Sequence, residues 1–395
     1  MSDVRLTSEY RRESISLGCV VVSAVFFVVL FQAPILKVPE IVTQVFRPAI
    51  VAVLLLRMAQ RGSINFSARN VALLAALYCC FELLLNQINA DEIMRALAII
   101  MYLLMFNTVV GTTWNKREVR FIIMACFLGA FACAVAIFMS NNPTDFNVGS
   151  GGDMKMFGMY VNRNKNAYAF SIGTIIGVIY LLYGKNIKKF WIAMLTAVIV
   201  YALLYSQCRG AFFCAVAGVI ISVAGVLLKI KKKSEMKFLL YSILTILFCI
   251  AAYYILKNSE LSRLIDGESK SGRDDGIKYA WHLYLNCDLF GKIFGNGHGY
   301  EAAHTEGVGA HLVYITYLLS TGIIGCSLIV LMLLKSLFRV KGAVPYALFT
   351  CAFLRTFFEG LDYYIYIPLM LSLIIYNYNN MYGRNTYELF SERQI

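Results

Sequence analysis

Charge is what this sequence has least of. Asp, Glu, Lys and Arg make up 15% of its 395 residues, against 59% hydrophobic residues, and the mean hydropathy is +0.66. A water-soluble domain carries roughly 25% charged residues, so that class is excluded. Metal chemistry has equally little to stand on. The 11 cysteines include no C-x-x-C pair, and all but Cys208 and Cys287 fall within apolar segments, where a thiol acts as a small hydrophobe. This pattern gives neither a zinc site nor a disulfide framework. No D-x-D pair offers a metal–nucleotide site, and no internal repeat of the solenoid or inverted-transporter kind is visible.

What is abundant is long apolar runs. A helix rising 1.5 Å per residue needs about 20 residues to cross the hydrocarbon layer, and about twelve runs approach that length. They begin with Ile15–Leu36 and Ile41–Leu56, include Phe238–Leu256 and His311–Leu334, and end with Ala343–Phe358 and Tyr363–Tyr376. The sequence therefore predicts an all-α integral membrane protein. Its first run is too long and too unlike a cleavage site for a removable signal peptide.

Lys and Arg near helix ends are retained on the cytoplasmic side. Arg57, Arg61 and Arg69, then Lys116, Arg117 and Arg120, Lys185, Lys188 and Lys189, Lys231–Lys233, and Lys335, Arg339 and Lys341 fall in every second loop. With Arg5, Arg11 and Arg12 ahead of the first run, both termini are expected in the cytoplasm. The net charge of +13 is then mostly orientation charge facing anionic lipid. No nucleic-acid motif accompanies it.

This walk divides the chain into residues 1–256 (nine spans, with an extracytoplasmic loop at 140–166), a large extracytoplasmic loop at 257–310, and residues 311–395 (three spans and a cytoplasmic tail). The large loop holds His282, His298 and His304, three of the four histidines, and His311 opens the following span. Ser271-Gly-Arg-Asp274 followed by Ile277, Trp281, Tyr284, Leu285 and Leu289 predicts an amphipathic helix on the membrane surface, with Lys278 and His282 on its polar side. Such a helix either caps the bundle or lines a site. Gly295-Asn-Gly-His-Gly299 lacks the strand and helix of a phosphate loop and reads as turn chemistry. Arg47, Glu82, Arg95, Arg355 and Glu359 lie within apolar runs toward their outer ends, which implies a polar cavity open to the outside.

Three stretches resemble the O-antigen polymerases (Wzy-type) and the related O-antigen ligases of bacterial surface polysaccharide assembly. Ser206-Gln-Cys-Arg-Gly210 resembles their S-x-x-R-G segment, and Ser271-Gly-Arg273 with Trp281 their S-G-R…W segment. Phe294–Gly299 leading into His311–Gly325 resembles their glycine-rich turn, helix-opening histidine and G-I-I-G. Gly158–Asn166 is a weaker match to an asparagine-containing segment. The likeness covers about a third of the chain, and Leu312 stands where the family often has Asn.

The resemblance implies a glycosyltransferase of the cytoplasmic (inner) membrane, active on the extracytoplasmic face. Its donor would be a glycan linked to undecaprenyl pyrophosphate, extended without metal or cofactor and with inversion. A polymerase adds this glycan to a lipid-linked repeat unit. A ligase moves it to lipid A core, and a non-enzymatic flippase is the third reading. Arg209 and Arg273 are the candidate pyrophosphate ligands, with Arg163 and Arg355 as further donors to phosphate or sugar. His311 or His304 is the candidate base. A chain-length regulator and a flippase are the implied protein partners.

Overall fold

The computed structural model describes residues 15–31, 68–85, 90–140, 153–156, 159–184, 189–227, 273–297, 300, 312–358, 365–382 and 389–390. The expected spans at 41–56 and 238–256, most of the large loop, His304 and His311 lie outside the described residues. The helices are α1 (Leu17–Phe31), α2 (Ala68–Leu85), α3 (Ala90–Gly111), α4 (Lys116–Ser140), α5 (Arg163–Tyr183), α6 (Lys189–Tyr205), α7 (Arg209–Leu227), α8 (Arg273–Asn286), α9 (Leu289–Phe294), α10 (Val313–Arg339), α11 (Ala343–Arg355) and α12 (Tyr366–Tyr382). One hairpin, β1 (Asp153–Met156) and β2 (Met159–Asn162), pairs antiparallel and leads straight into α5.

The chain is a helical, membrane-embedded protein. By length and composition alone α4, α5, α7 and α10 are apolar enough to cross a bilayer, and shorter apolar helices accompany them. Their sequences leave no hydrophilic face to exclude lipid. Association in lipid depends on close backbone approach at small residues, because tails are as apolar as the side chains. α5 is the axis of this packing. A methyl placed on Gly173 would stand 2.6 Å from Ala130 Cβ of α4 and 3.3 Å from Ile199 of α6. On the other side, Gly218 of α7 leaves room for Ile175, and one on Gly225 would stand 2.7 Å from the Tyr183 hydroxyl.

These contacts also fix direction. Gly210, Gly218 and Gly225 of α7 meet Tyr168, Ile175 and Tyr183 of α5 in the same order, so α5 and α7 run parallel. Gly210, Gly218 and Gly225 meet Phe358, Ala347 and Ala343 in descending order, so α11 runs antiparallel to both. At the far end Glu118 ties two helix starts together. It accepts from Ser16 N at 3.0 Å and Asn115 N at 3.1 Å, while its own N–H donates to Asn115 Oδ1 at 2.9 Å. This reciprocal N-cap orders α4 and anchors the beginning of α1.

The expected single span His311–Leu334 is corrected by the structure. α10 breaks at Gly322 (φ 64°, ψ −170°) into two halves, 313–321 and 323–339. The halves fold back on each other: Cys326 Sγ lies 3.7 Å from Tyr314 O although 12 residues separate them. A straight helix would place them about 18 Å apart. The apolar run is continuous in sequence, so hydropathy carries no sign of this break. Its cause is local. Ile293 O and Gly295 N occupy the place where a side chain on residue 322 would lie.

The exposed carbonyls at the end of the first half are satisfied by the Gly295–Gly297 turn. Asn296 N donates to Leu319 O and Gly297 N to Ser320 O, each at 3.0 Å. The Tyr78 hydroxyl of α2 reaches Phe294 O at 2.8 Å and Thr321 O at 3.0 Å. A helix end inside a membrane protein needs such partners because lipid supplies none.

Gly322→Ala is therefore expected to lower the thermal stability of the detergent-solubilised protein more than Gly342→Ala. Both replace a glycine of positive φ, which costs about 1–3 kcal/mol. At Gly342 a Cβ meets only Pro345 Cδ at 3.7 Å, whereas at Gly322 it meets backbone. Equal melting shifts for the two variants would remove the packing account of the break.

Candidate functional site

The S-x-x-R-G segment forms the turn between α6 and α7. Ser206 Oγ donates to Leu203 O at 2.6 Å and accepts from Cys208 N at 3.3 Å. Gln207 takes φ 51°, the left-handed conformation that ends a helix. The chain thus reverses in three residues, and Arg209 becomes the first residue of α7. Its side chain is half-buried.

Gly210 explains why a glycine follows. A methyl here would stand 2.6 Å from the Tyr168 hydroxyl and 2.7 Å from Phe358 Cβ. The start of α7, the second turn of α5 and the end of α11 converge at this point. Tyr314 extends the junction to α10: its hydroxyl shares a 2.9 Å hydrogen bond with Thr356 Oγ1, and its ring lies 5.6 Å from that of Phe357. Val313 N donates to Thr356 O at 3.2 Å. A narrow cleft lined by Val313, Tyr317, Ile329, Thr356 and Tyr366 opens between the halves of α10.

Four of the six candidate residues can be placed. Arg163 and Arg209 open α5 and α7 side by side, and Arg355 closes α11 beside them. Arg273 opens α8, while the side chains of Arg163 and Arg273 lie outside the described residues, as do His304 and His311. Arg355 is not at the surface: it is 1% exposed, with its guanidinium carbon 3.8 Å from the centre of the Tyr168 ring. Its charge is held in the protein, where low dielectric extends its field.

The amphipathic helix is observed as α8. It buries Ala280, Tyr284 and Cys287 against Ile315 and Leu319 of the first half of α10, and leaves Lys278 and His282 exposed. Trp281 and Leu285 remain exposed beside them, 44% and 47%, as expected of a helix at the headgroup level. Burial raises the Tyr284 pKa, which keeps the phenol neutral. Its hydroxyl donates to Lys292 O at 3.4 Å.

Sequence reasoning missed Tyr168 and Tyr78, and gave Gly210 no role beyond its place in the S-x-x-R-G segment. An aromatic in a helix near a membrane interface reads as packing, and only the meeting of three helices gives Tyr168 a charged neighbour. Ser206→Ala and Gly210→Ala separate the two parts of this construction. Gly210→Ala is expected to cost about 1–3 kcal/mol by overpacking the junction. Ser206→Ala should cost about 0.5–1.5 kcal/mol, the worth of one hydrogen bond. Thermal unfolding in detergent measures both, and a harmless Gly210→Ala would contradict the convergence.

No protein-family model matches the sequence, and no curated protein matches it significantly.

Proposed function

We propose that this chain is a polysaccharide polymerase of the bacterial cytoplasmic membrane. It crosses the bilayer about twelve times, keeps both termini in the cytoplasm, and works on its extracytoplasmic face. The donor is a glycan carried on undecaprenyl pyrophosphate, and the acceptor is a lipid-linked repeat unit. The observation that carries this reading is that Arg163 and Arg209 stand at the starts of two parallel, directly packed helices, with Arg355 at the near end of α11, which packs on α7. A helix start carries partial positive charge, so a cation there costs about 0.3–1 kcal/mol. Arginines at two adjacent starts suit a site for a bound polyanion.

The arrangement of the described helices supports the span count. α1 runs parallel to α4, with Ser16 by Glu118 and Phe27 by Gly129, so Phe31 ends at the arginine side. α2 starts at the opposite side, because α3 runs parallel to α12 and follows α2 by a short link. Leu227 and Val313 likewise stand at opposite ends. Our reading assigns the two returns to the expected spans 41–56 and 238–256. Lys116, Arg117, Lys189, Arg339 and Lys341 all belong to the end away from Arg209, which the reading takes as cytoplasmic.

In the reaction, an acceptor hydroxyl attacks the anomeric carbon of the donor sugar. A glycosidic bond forms, the bond to pyrophosphate breaks with inversion, and the hydroxyl proton passes to a base, His311 or His304. Undecaprenyl pyrophosphate leaves with growing negative charge. Guanidinium forks on two oxygens offset that charge directly, which is the basis for assigning a metal-independent step. In the cell, a flippase supplies the lipid-linked units and a chain-length regulator sets the product length.

The test is chain extension by purified protein in proteoliposomes supplied with lipid-linked repeat units. If one lost contact removes about 2.7–4 kcal/mol of transition-state stabilisation, Arg209→Ala slows extension roughly a hundred- to a thousandfold. Arg209→Lys behaves nearly the same, because an ammonium replaces a fork with a point charge. Near-normal chains from the lysine variant would remove the pyrophosphate clamp. Wild-type extension should continue in excess chelator, and an activity restored only by added magnesium or manganese would contradict metal independence. Transfer of finished polymer to lipid A core, without extension, would assign the protein as a ligase instead.

A further inference from the structure

Gln207, in the turn between α6 and α7, is the one non-glycine residue of positive φ among the described residues. At its φ of 51° a Cβ crowds the following carbonyl oxygen, so glycine or asparagine is the usual residue where a helix ends in this way. The backbone holds the conformation from both sides. Gln207 N donates to Leu204 O at 3.0 Å, Ser206 N to Ala202 O at 2.9 Å and Phe212 N to Cys208 O at 3.0 Å. Glycine would make the same bonds without the crowding. A side chain kept in a disfavoured conformation by its surroundings points to a role for that side chain. Exposure shows what it can reach. Tyr205, Ser206 and Cys208 are 2%, 0% and 6% exposed, and Gly210 is buried. Gln207 and Arg209 alternate with them and are half-buried, so they are the two residues from 205 to 210 that keep surface open to a ligand.

We propose that Gln207 binds hydroxyls of the donor sugar beside the pyrophosphate held by Arg209, and so takes part in choosing which sugar is transferred. Phosphate oxygens only accept hydrogen bonds, which suits a guanidinium that only donates. A sugar hydroxyl both donates and accepts, and the Gln207 amide answers it with an NH2 donor and a carbonyl acceptor. The sugar is bonded directly to the pyrophosphate, and Gln207 stands two residues from Arg209 in the same turn. A few convergent polar groups of this kind fix the orientation of a ligand and discriminate among ligands. The proposal rests on the polymerase reading and adds to it a residue that reads the sugar.

The experiment measures initial rates of chain extension against the concentration of the lipid-linked donor, for the full-length chain in proteoliposomes, and records the melting temperature of each variant. A neutral contact made equally before and during bond breaking contributes to binding alone. Gln207→Gly therefore raises KM for the donor about tenfold and leaves kcat within about threefold of wild type. Its melting temperature equals or exceeds that of wild type, because glycine relieves the left-handed backbone. Gln207→Ala raises KM equally but melts below Gln207→Gly, since it loses the amide and keeps the crowding. Gln207→Asn tolerates this backbone and retains an amide, so its KM falls between those of wild type and Gln207→Gly. A structural role gives a different pattern: Gln207→Gly melts below wild type, and activity falls in step with melting temperature across the variants. That pattern, or an unchanged KM in Gln207→Gly and Gln207→Ala, overturns the assignment of Gln207. A wild-type protein that extends no glycan instead removes the polymerase reading beneath it, so the two failures are distinguishable.

Discussion

The structure depends on how closely other helices approach α5. Lipid gives helices no hydrophobic reason to associate, so contact area at small residues must supply the attraction. α5 is enclosed by α4, α6, α7 and α11, and 83% of its apolar window is buried. Gly173 and Gly177 on α5, with Gly210, Gly218 and Gly225 on α7, set the separations. Those separations place the starts of α5 and α7 in one layer with the end of α11. Arg163, Arg209 and Arg355 each stand at a helix end that the glycine contacts hold in place.

The second constraint is the backbone of α10. A half-helix that stops inside a membrane protein leaves carbonyls that lipid cannot satisfy. The Gly295–Gly297 turn and Tyr78 supply the donors, and in doing so they tie α9 and α2 to the break at Gly322. α8 then lies across the first half of α10 through Ala280, Tyr284 and Cys287. α9 and the Gly295–Gly297 turn are thereby fixed against the first half of α10, whose Val313 and Tyr314 meet Thr356 at the end of α11. Two motifs distant in sequence, the glycine-rich turn and G-I-I-G, are one structural unit.

Some of this was legible in the sequence and some was not, for physical reasons. Hydropathy identifies membrane helices well because the bilayer imposes a length and excludes charge. It does not register a change in φ, so the break in α10 was invisible within an uninterrupted apolar run. The amphipathic pattern of α8 was readable because one side of that helix meets protein and the other does not. Arg209 was recognisable as a charge beside a turn, but its place at a helix start depends on Gln207 adopting φ 51°. The burial of Arg355 was not readable, since its partner Tyr168 lies far away in sequence and looks like ordinary core. The resemblance to O-antigen polymerases concerns short segments, and the functional reading relies on it together with the helix ends.

The central claim is that the arginine-bearing end of the bundle faces away from the cytoplasm. Single cysteines at His282, exposed on α8, and at Lys341, exposed between α10 and α11, sit at opposite ends. In a cysteine-free background, an impermeant thiol reagent applied to intact spheroplasts should label His282→Cys at once and label Lys341→Cys only after the membrane is opened. Labelling of Lys341→Cys in intact spheroplasts, with His282→Cys protected, would invert the protein and contradict the account.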